Sequence, residues 1–183
     1  MGNFSIEKTG IEGLLTIERK IFADSRGFFT EIFNEKSFRD VGLNASFVQD
    51  CCSRSTRGTL RGLHYQKTQP QAKLVSVLCG EIFDVAIDLR RSSNTFLRWF
   101  GTNLSDSGKM LYVPEGFAHG FCVLSSYADI MYKLTDFYLP GDEGGLRWDD
   151  PDISIQWPID KPDIIISEKD IRNPNIGEAW IFE

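Results

Sequence analysis

The sequence predicts an all-β fold, a sandwich or barrel, and three observations carry that prediction. Short β-branched and aromatic runs recur along the chain, turn signals rich in Gly, Pro, Asn and Asp separate them, and few stretches read as helix. The runs fall at 14–17, 28–33, 47–50, 74–78, 81–89, 97–104, 110–113, 120–124 and 129–136. Period-two alternation is clearest in 82–89, where Phe83, Val85, Ile87 and Leu89 share one face and Ile82, Asp84, Ala86 and Asp88 the other. The first face points into core; the second, with its carboxylates, faces either solvent or a barrel cavity. Ile130, Tyr132 and Leu134 likewise share a strand face. A short helix is expected over 35–41, closed by Gly42, and Ser167-Glu168-Lys169-Asp170 reads as the N-cap and first turn of another. The stretch 139–145 reads as a loop, and 151–161, with Trp157-Pro158, as an extended tail.

At 183 residues with 42% hydrophobic and 25% charged residues, the whole chain, 1–183, is expected to be one soluble domain with a full core. Its formal net charge of −6 argues against nucleic acid or an anionic membrane as the main partner. An anionic small molecule would therefore need a local cluster of cations. No secretory leader or transmembrane span is legible, so a cytoplasmic location is expected, with Cys51, Cys52, Cys79 and Cys122 as thiols. Cys79 and Cys122 lie in apolar runs and are expected in the core.

The chemistry concentrates on the two histidines. His64 lies in Arg61-Gly62-Leu63-His64-Tyr65-Gln66 and His119 in Pro114-Glu115-Gly116-Phe117-Ala118-His119-Gly120-Phe121. Histidine titrates nearest neutrality, and two in such motifs point to at least one working in proton transfer. No G-x-G-x-x-G, G-x-x-x-x-G-K-[ST] or G-x-S-x-G motif is present, which disfavours Rossmann, P-loop and hydrolase chemistry. Pro114-x-Gly116-x-x-His119 resembles the second cupin motif, yet the paired histidines of the first read here His64-x-Gln66. One imidazole ligand is absent, and a metal would need carboxylates to complete its shell, so a metal-free site with no cofactor is expected. A metal-free cavity with a histidine base suits abstraction of a proton from carbon beside a carbonyl. Lys73 stands at hairpin spacing from His64, as an oxyanion partner or a solvated lysine beside the Pro70 turn; Tyr132 is either core or a phenolic acid.

Taken together, Asp24-Ser25-Arg26-Gly27-Phe28-Phe29, the His64 motif, Lys73-Leu74-Val75, Gly80-Glu81-Ile82-Phe83-Asp84-Val85-Ala86, Asp88-Leu89-Arg90, the His119 motif, Trp148-Asp149-Asp150-Pro151, Trp157-Pro158 and Ser167-Glu168-Lys169-Asp170 resemble the dTDP-4-dehydrorhamnose 3,5-epimerase family. The match runs almost end to end. The resemblance implies an all-β cupin-type jelly roll with a few short peripheral helices, metal-independent and homodimeric. It also implies inversion of carbons 3 and 5 of a dTDP-linked 4-keto-6-deoxyhexose. By motif, His64 is the base, Asp170 its carboxylate partner, Lys73 the stabiliser of the enolate oxygen, and Tyr132 the proton donor on the opposite face. Arg26, Glu31, Gln49, Asp50, Arg61, His119, Glu143 and Lys169 correspond to sugar-nucleotide contacts, Arg61 suited to the diphosphate and Tyr138 to stacking on thymine. The resemblance further implies that residues near the N-terminus complete the neighbouring subunit's site.

One position departs from the pattern: Cys51 stands where the family usually has asparagine, and a thiol cannot replace the amide's paired donor and acceptor. Three other readings bear on the same residues. They are a single-carbon epimerase or ketoisomerase of a related nucleotide sugar, a metal-dependent cupin oxygenase, and a sugar-nucleotide-binding module without catalysis.

Overall fold

The computed structural model describes residues 2–183. Its elements run β1 (Phe4–Lys8), β2 (Leu15–Arg19), β3 (Ile21–Asp24), β4 (Gly27–Thr30), α1 (Glu35–Asp40), β5 (Gln49–Thr56), β6 (Thr59–Gln66), β7 (Lys73–Cys79) and β8 (Glu81–Asp88). They continue with β9 (Trp99–Ser105), β10 (Lys109–Val113), β11 (Phe117–Val123), β12 (Tyr127–Leu134), β13 (Glu143–Gly145), β14 (Ile165–Ile166) and α2 (Glu168–Ile171). Among the described residues the strands form two large sheets, ordered β1-β2-β10-β7-β12-β5 and β13-β6-β11-β8-β9, with β14 parallel to β6. The other pairings are antiparallel, and the two sheets face each other as a cupin-type jelly roll. The hairpin β3-β4 belongs to neither sheet. No helix among the described residues is long and apolar enough to cross a membrane.

Alternation explains the core. Val75 and Val77 of β7, Ile82 and Ala86 of β8, Phe117 and Phe121 of β11, and Ala128 and Ile130 of β12 point inward and meet between the sheets. The opposite face of β8, with Val85 and Ile87, is buried as well, because the C-terminal segment lays Ile153, Trp157, Ile176 and Phe182 over it. Both faces of β8 are thus buried for different reasons: one closes the barrel, the other carries a strap. The alternative that Asp84 and Asp88 face solvent is thereby removed, since both are fully buried on the inward face. Asp88 is satisfied locally, accepting hydrogen bonds from Arg90, Ser93 and Thr95.

Helix α1 packs Phe38 against Phe4 and Phe33 over the outer face of the first sheet. It begins where Asn34 caps the Ser37 amide at 3.0 Å. It ends before Gly42, whose φ of +95° ordinary residues avoid.

Several boundaries differ from the sequence reading. The run at 28–33 ends as strand at Thr30, and the run at 47–50 begins only at Gln49 but extends to Thr56. The stretch 59–66, not among the expected strands, forms β6 and carries His64. The expected loop 139–145 closes with three strand residues that pair with β6. Cys79 is half-buried at the end of β7 rather than in the core, whereas Cys122 is buried and its thiol is pushed up to about 11 by desolvation. All four cysteines are free thiols.

Candidate active site

Strands β6 and β11 form one wall of the interior and approach each other unusually closely. A Cβ on Gly62, at φ +126°, would stand 2.6 Å from Gly120 Cα, and one on Gly120 would meet the Arg61 carbonyl at 2.7 Å. Only glycine permits that approach. The register there pairs His64 with His119 before a bulge, so both histidines project from neighbouring strands toward the interior.

Each histidine has its own carboxylate. His64 Nε2 donates to Asp170 Oδ1 at 2.6 Å, and Asp170 Oδ2 accepts from the Gly62 amide at 3.3 Å. Asp170 arrives from α2, where the Ser167 hydroxyl caps its amide at 3.1 Å and β14 ties the preceding residues to β6. Burial alone would raise the Asp170 pKa; hydrogen bonds from His64 and the Gly62 amide outweigh it and hold the carboxyl below its ordinary value. With Nε2 carrying the shared proton, Nδ1 of His64 keeps the free lone pair. His119 Nε2 contacts both oxygens of the fully buried Asp84, at 2.9 and 3.0 Å. Among the described residues no group of three or more His, Cys, Asp or Glu side chains converges on a metal-sized point.

The facing wall comes from the other sheet. Lys73 and Tyr132 project inward from β7 and β12, and Lys73 Nζ donates to the His64 carbonyl at 3.4 Å. Lys73 does not reach His64 through a hairpin. Strands β6 and β7 belong to different sheets, and the lysine crosses the interior. Desolvation lowers the Lys73 ammonium from 10.5 to about 8, with the Asp84 carboxylate opposing the drop. Burial raises the Tyr132 phenol, so it holds its proton at neutral pH, with Arg61 pulling the other way.

Between the walls lies a cavity of about 620 Å³ lined by Arg61, His64, Lys73, His119, Tyr132, Lys169 and Asp170. A neighbouring recess of about 250 Å³ shares His64, Lys73, Tyr132 and Lys169, and adds Gln49, Cys51, Tyr138 and Glu143. The Tyr138 hydroxyl and Lys169 both donate to Glu143 Oε1, at 2.8 and 2.9 Å, and the Lys169 bond is the main cause of the lowered Glu143 pKa. The Tyr138 amide donates to Gln49 Oε1 at 2.9 Å, and Gln49 Nε2 donates to Cys51 Sγ at 3.3 Å. Arg61 is held by Ser55, its Nε 3.0 Å from the hydroxyl.

The chain's own fold does not bring every expected residue here. Arg26 sits at the tip of the β3-β4 hairpin, 87% exposed and paired with Asp24. Glu31 accepts from Asn3 and Asn34, and Asp50 points outward to Lys133. Conversely, three residues that position the site carried weak sequence signals or none. Asp84 was visible only as a carboxylate within an alternating strand, Ser167 only as a cap, and Ser55 not at all.

Comparison with known proteins agrees with this geometry. The family model described as dTDP-4-dehydrorhamnose 3,5-epimerase matches residues 8–178. The dTDP-4-dehydrorhamnose 3,5-epimerase of Methanothermobacter thermautotrophicus is 51% identical over 172 residues, 93% of either chain. That of Shigella flexneri is 49% identical over 181 residues, 97% of this chain and 99% of the other. The crystal structure of the Legionella pneumophila 3,5-epimerase in complex with dTDP-4-keto-L-rhamnose superposes with a TM-score of 0.91 at 46% identity, covering 96% of this chain and 94% of that one. With its jelly roll, its carboxylate-held histidine and this similarity along nearly its whole length, the chain belongs to the dTDP-4-dehydrorhamnose 3,5-epimerase family.

Proposed function

We propose that this protein is an isomerase that converts dTDP-4-dehydro-6-deoxy-D-glucose to dTDP-4-dehydro-L-rhamnose by inverting carbons 3 and 5, a step of dTDP-rhamnose biosynthesis. The observation that carries the reading is the opposition of His64 on β6 to Tyr132 on β12 across one cavity, with Lys73 on the same wall as Tyr132 and reaching the His64 carbonyl. Each carbon beside the 4-keto group holds an acidic proton. His64 Nδ1 takes that proton, the C–H electron pair moves into the ring, and the carbon-4 oxygen becomes an enolate. The Lys73 ammonium neutralises that oxygen, and Asp170 stabilises the imidazolium formed. Tyr132 then gives its proton to the opposite face of the carbon, which inverts it; solvent restores the phenol and removes the proton from His64. Arg61 takes the diphosphate, Tyr138 stacks on thymine, and His119, Gln49, Cys51, Glu143 and Lys169 line the sugar nucleotide's path.

The working unit is a homodimer. The β3-β4 hairpin stands apart from both sheets and exposes Phe22, Phe28 and Phe29 beside Arg26, which supports its reaching, together with Glu31, toward a neighbouring subunit's cavity. Four unpaired thiols support a cytoplasmic setting.

The test is deuterium incorporation into dTDP-4-keto-6-deoxyglucose in heavy water, read carbon by carbon with His64→Ala alongside. Label at both carbons that disappears in the variant is expected. Label at one carbon only, or wild-type-like label with His64→Ala, overturns the reading. Light scattering, with activity regained on mixing Arg26→Ala and His64→Ala subunits, tests the dimer.

A further inference from the structure

We infer that Cys51 is a specificity-determining residue of this site: the bulk of its side chain limits the lateral reach of Tyr132 and thereby sets the relative rates at which carbons 3 and 5 receive their protons. The inference rests on the proposed epimerase reaction and adds a residue that controls its outcome.

In the β5-β12 ladder Cys51 lies directly opposite Tyr132, and in the β12-β7 ladder Val75 does. Side chains paired this way in an antiparallel sheet share a face and stand within contact range, so the phenol ring stands between Cys51 on one side and Val75 on the other. These two neighbours differ. Val75 is fully buried, β-branched and part of the core, and it forms a fixed wall. Cys51 is half-buried, faces the recess and takes one weak hydrogen bond, from Gln49. Freedom for the ring therefore lies on the Cys51 side.

Tyr132 depends on that freedom because no hydrogen bond fixes its hydroxyl among the described residues; burial raises its pKa and the Arg61 guanidinium opposes the rise, but neither anchors the ring. An acid not held by a hydrogen bond is positioned by the walls beside it. In a double inversion it must also serve two carbons, one on each side of the ketone, from one anchored backbone position. A displacement of the donor of ~1 Å costs on the order of 10²-fold in rate, so modest confinement of the ring separates the two carbons. Gln49 adds a link outward, since its carbonyl oxygen holds the Tyr138 amide while its NH₂ holds the Cys51 sulfur. The base recognised at Tyr138 and the acid at Tyr132 thus share one intermediary strand.

Initial rates of deuterium wash-in at carbons 3 and 5 of dTDP-4-keto-6-deoxyglucose, measured separately for each variant, test the inference. Cys51→Leu narrows the ring's space and is expected to depress exchange at one carbon at least ~10-fold relative to the other. Cys51→Ala, which cannot clash, widens the space and is expected to move the ratio the opposite way. Cys51→Ser, close in size to the thiol, moves it less than either. An unchanged ratio in Cys51→Ala overturns the inference, as does a parallel fall at both carbons in Cys51→Leu with wild-type thermal stability. A Ser variant shifted as far as Leu overturns it as well, because chemistry rather than bulk would then be responsible. Wild-type protein that exchanges neither carbon overturns the epimerase reading itself, and this inference falls with it.

Discussion

Exchanging Asp170 for asparagine removes one charge from the site and almost no volume. The carboxylate is 5% exposed, takes His64 Nε2 at 2.6 Å and accepts the Gly62 amide at 3.3 Å. In Asp170→Asn, a side-chain amide that still accepts from Gly62 turns its NH₂ toward His64, forcing the imidazole proton onto Nδ1 and removing the lone pair that the proposed base uses. Losing a charge-assisted hydrogen bond costs about 1.5–3 kcal/mol, and the wrong tautomer in a serine protease triad costs about 10⁴ in kcat. The expected fall in kcat is therefore ~10²- to 10⁴-fold, with KM little changed because the substrate is still bound by other groups. Stability moves too. The folded pKa of Asp170 lies below its unfolded value, so its contribution is present above the unfolded value, about 3.9, and is lost as pH falls through the folded one. Asp170→Asn is thus less stable than wild type at neutral pH, and the two converge in acid. Deuterium wash-in rates and thermal unfolding across pH read both effects. A variant with kcat within about threefold of wild type would refute the dyad's role.

Other consequences follow from the same interior. Lys73 titrates near 8, and its charged form is the one that faces the enolate, so kcat falls as pH rises through that value; Lys73→Met removes this alkaline limb and lowers kcat by ~10²- to 10³-fold. Asp84→Asn withdraws the anion that keeps the lysine charged, so a pH–rate profile of this variant has its alkaline limb at lower pH than wild type. Gly120→Ala places a methyl against the Arg61 carbonyl and Leu63 Cδ2 at 2.7 and 2.9 Å, and a thermal melt is expected to report a loss of about 1–3 kcal/mol.

The positions that escaped the sequence reading share a physical cause. Strand β6 went unassigned because Gly62 and His64 interrupt its apolar pattern; yet the glycine is required by the nearness of Gly120, and the histidine by Asp170, neither of which is local in sequence. Alternation in β8 correctly separated two faces, but it could not tell that a strap of residues 153–182 would bury the outer one and leave Asp84 inside beside His119. Where the signal was local, it held: a short helix forms before Gly42, Ser167 caps the second, and Tyr132 shares the inward face of Ile130 and Leu134.

The cap at Ser167 also explains how a distant residue becomes a reliable partner for the base. A helix of four residues has little intrinsic stability. It persists because Ser167 closes its first turn, β14 pins the residues before it to β6, and Asp170 is bonded to the same strand twice. The hydrogen bonds that hold α2 in place are therefore the ones that orient His64, so order in the C-terminal strap and competence of the base rise and fall together. A substitution at Ser167, outside the reacting groups, is expected to lower kcat in proportion to the loss of α2. Ser167→Ala forfeits a cap worth about 0.5–2 kcal/mol, and Ser167→Asp restores it. Hydrogen exchange at the Asp170 amide, followed alongside kcat in the two variants, distinguishes this coupling from a loss of substrate binding, since KM then stays unchanged while protection and turnover fall together.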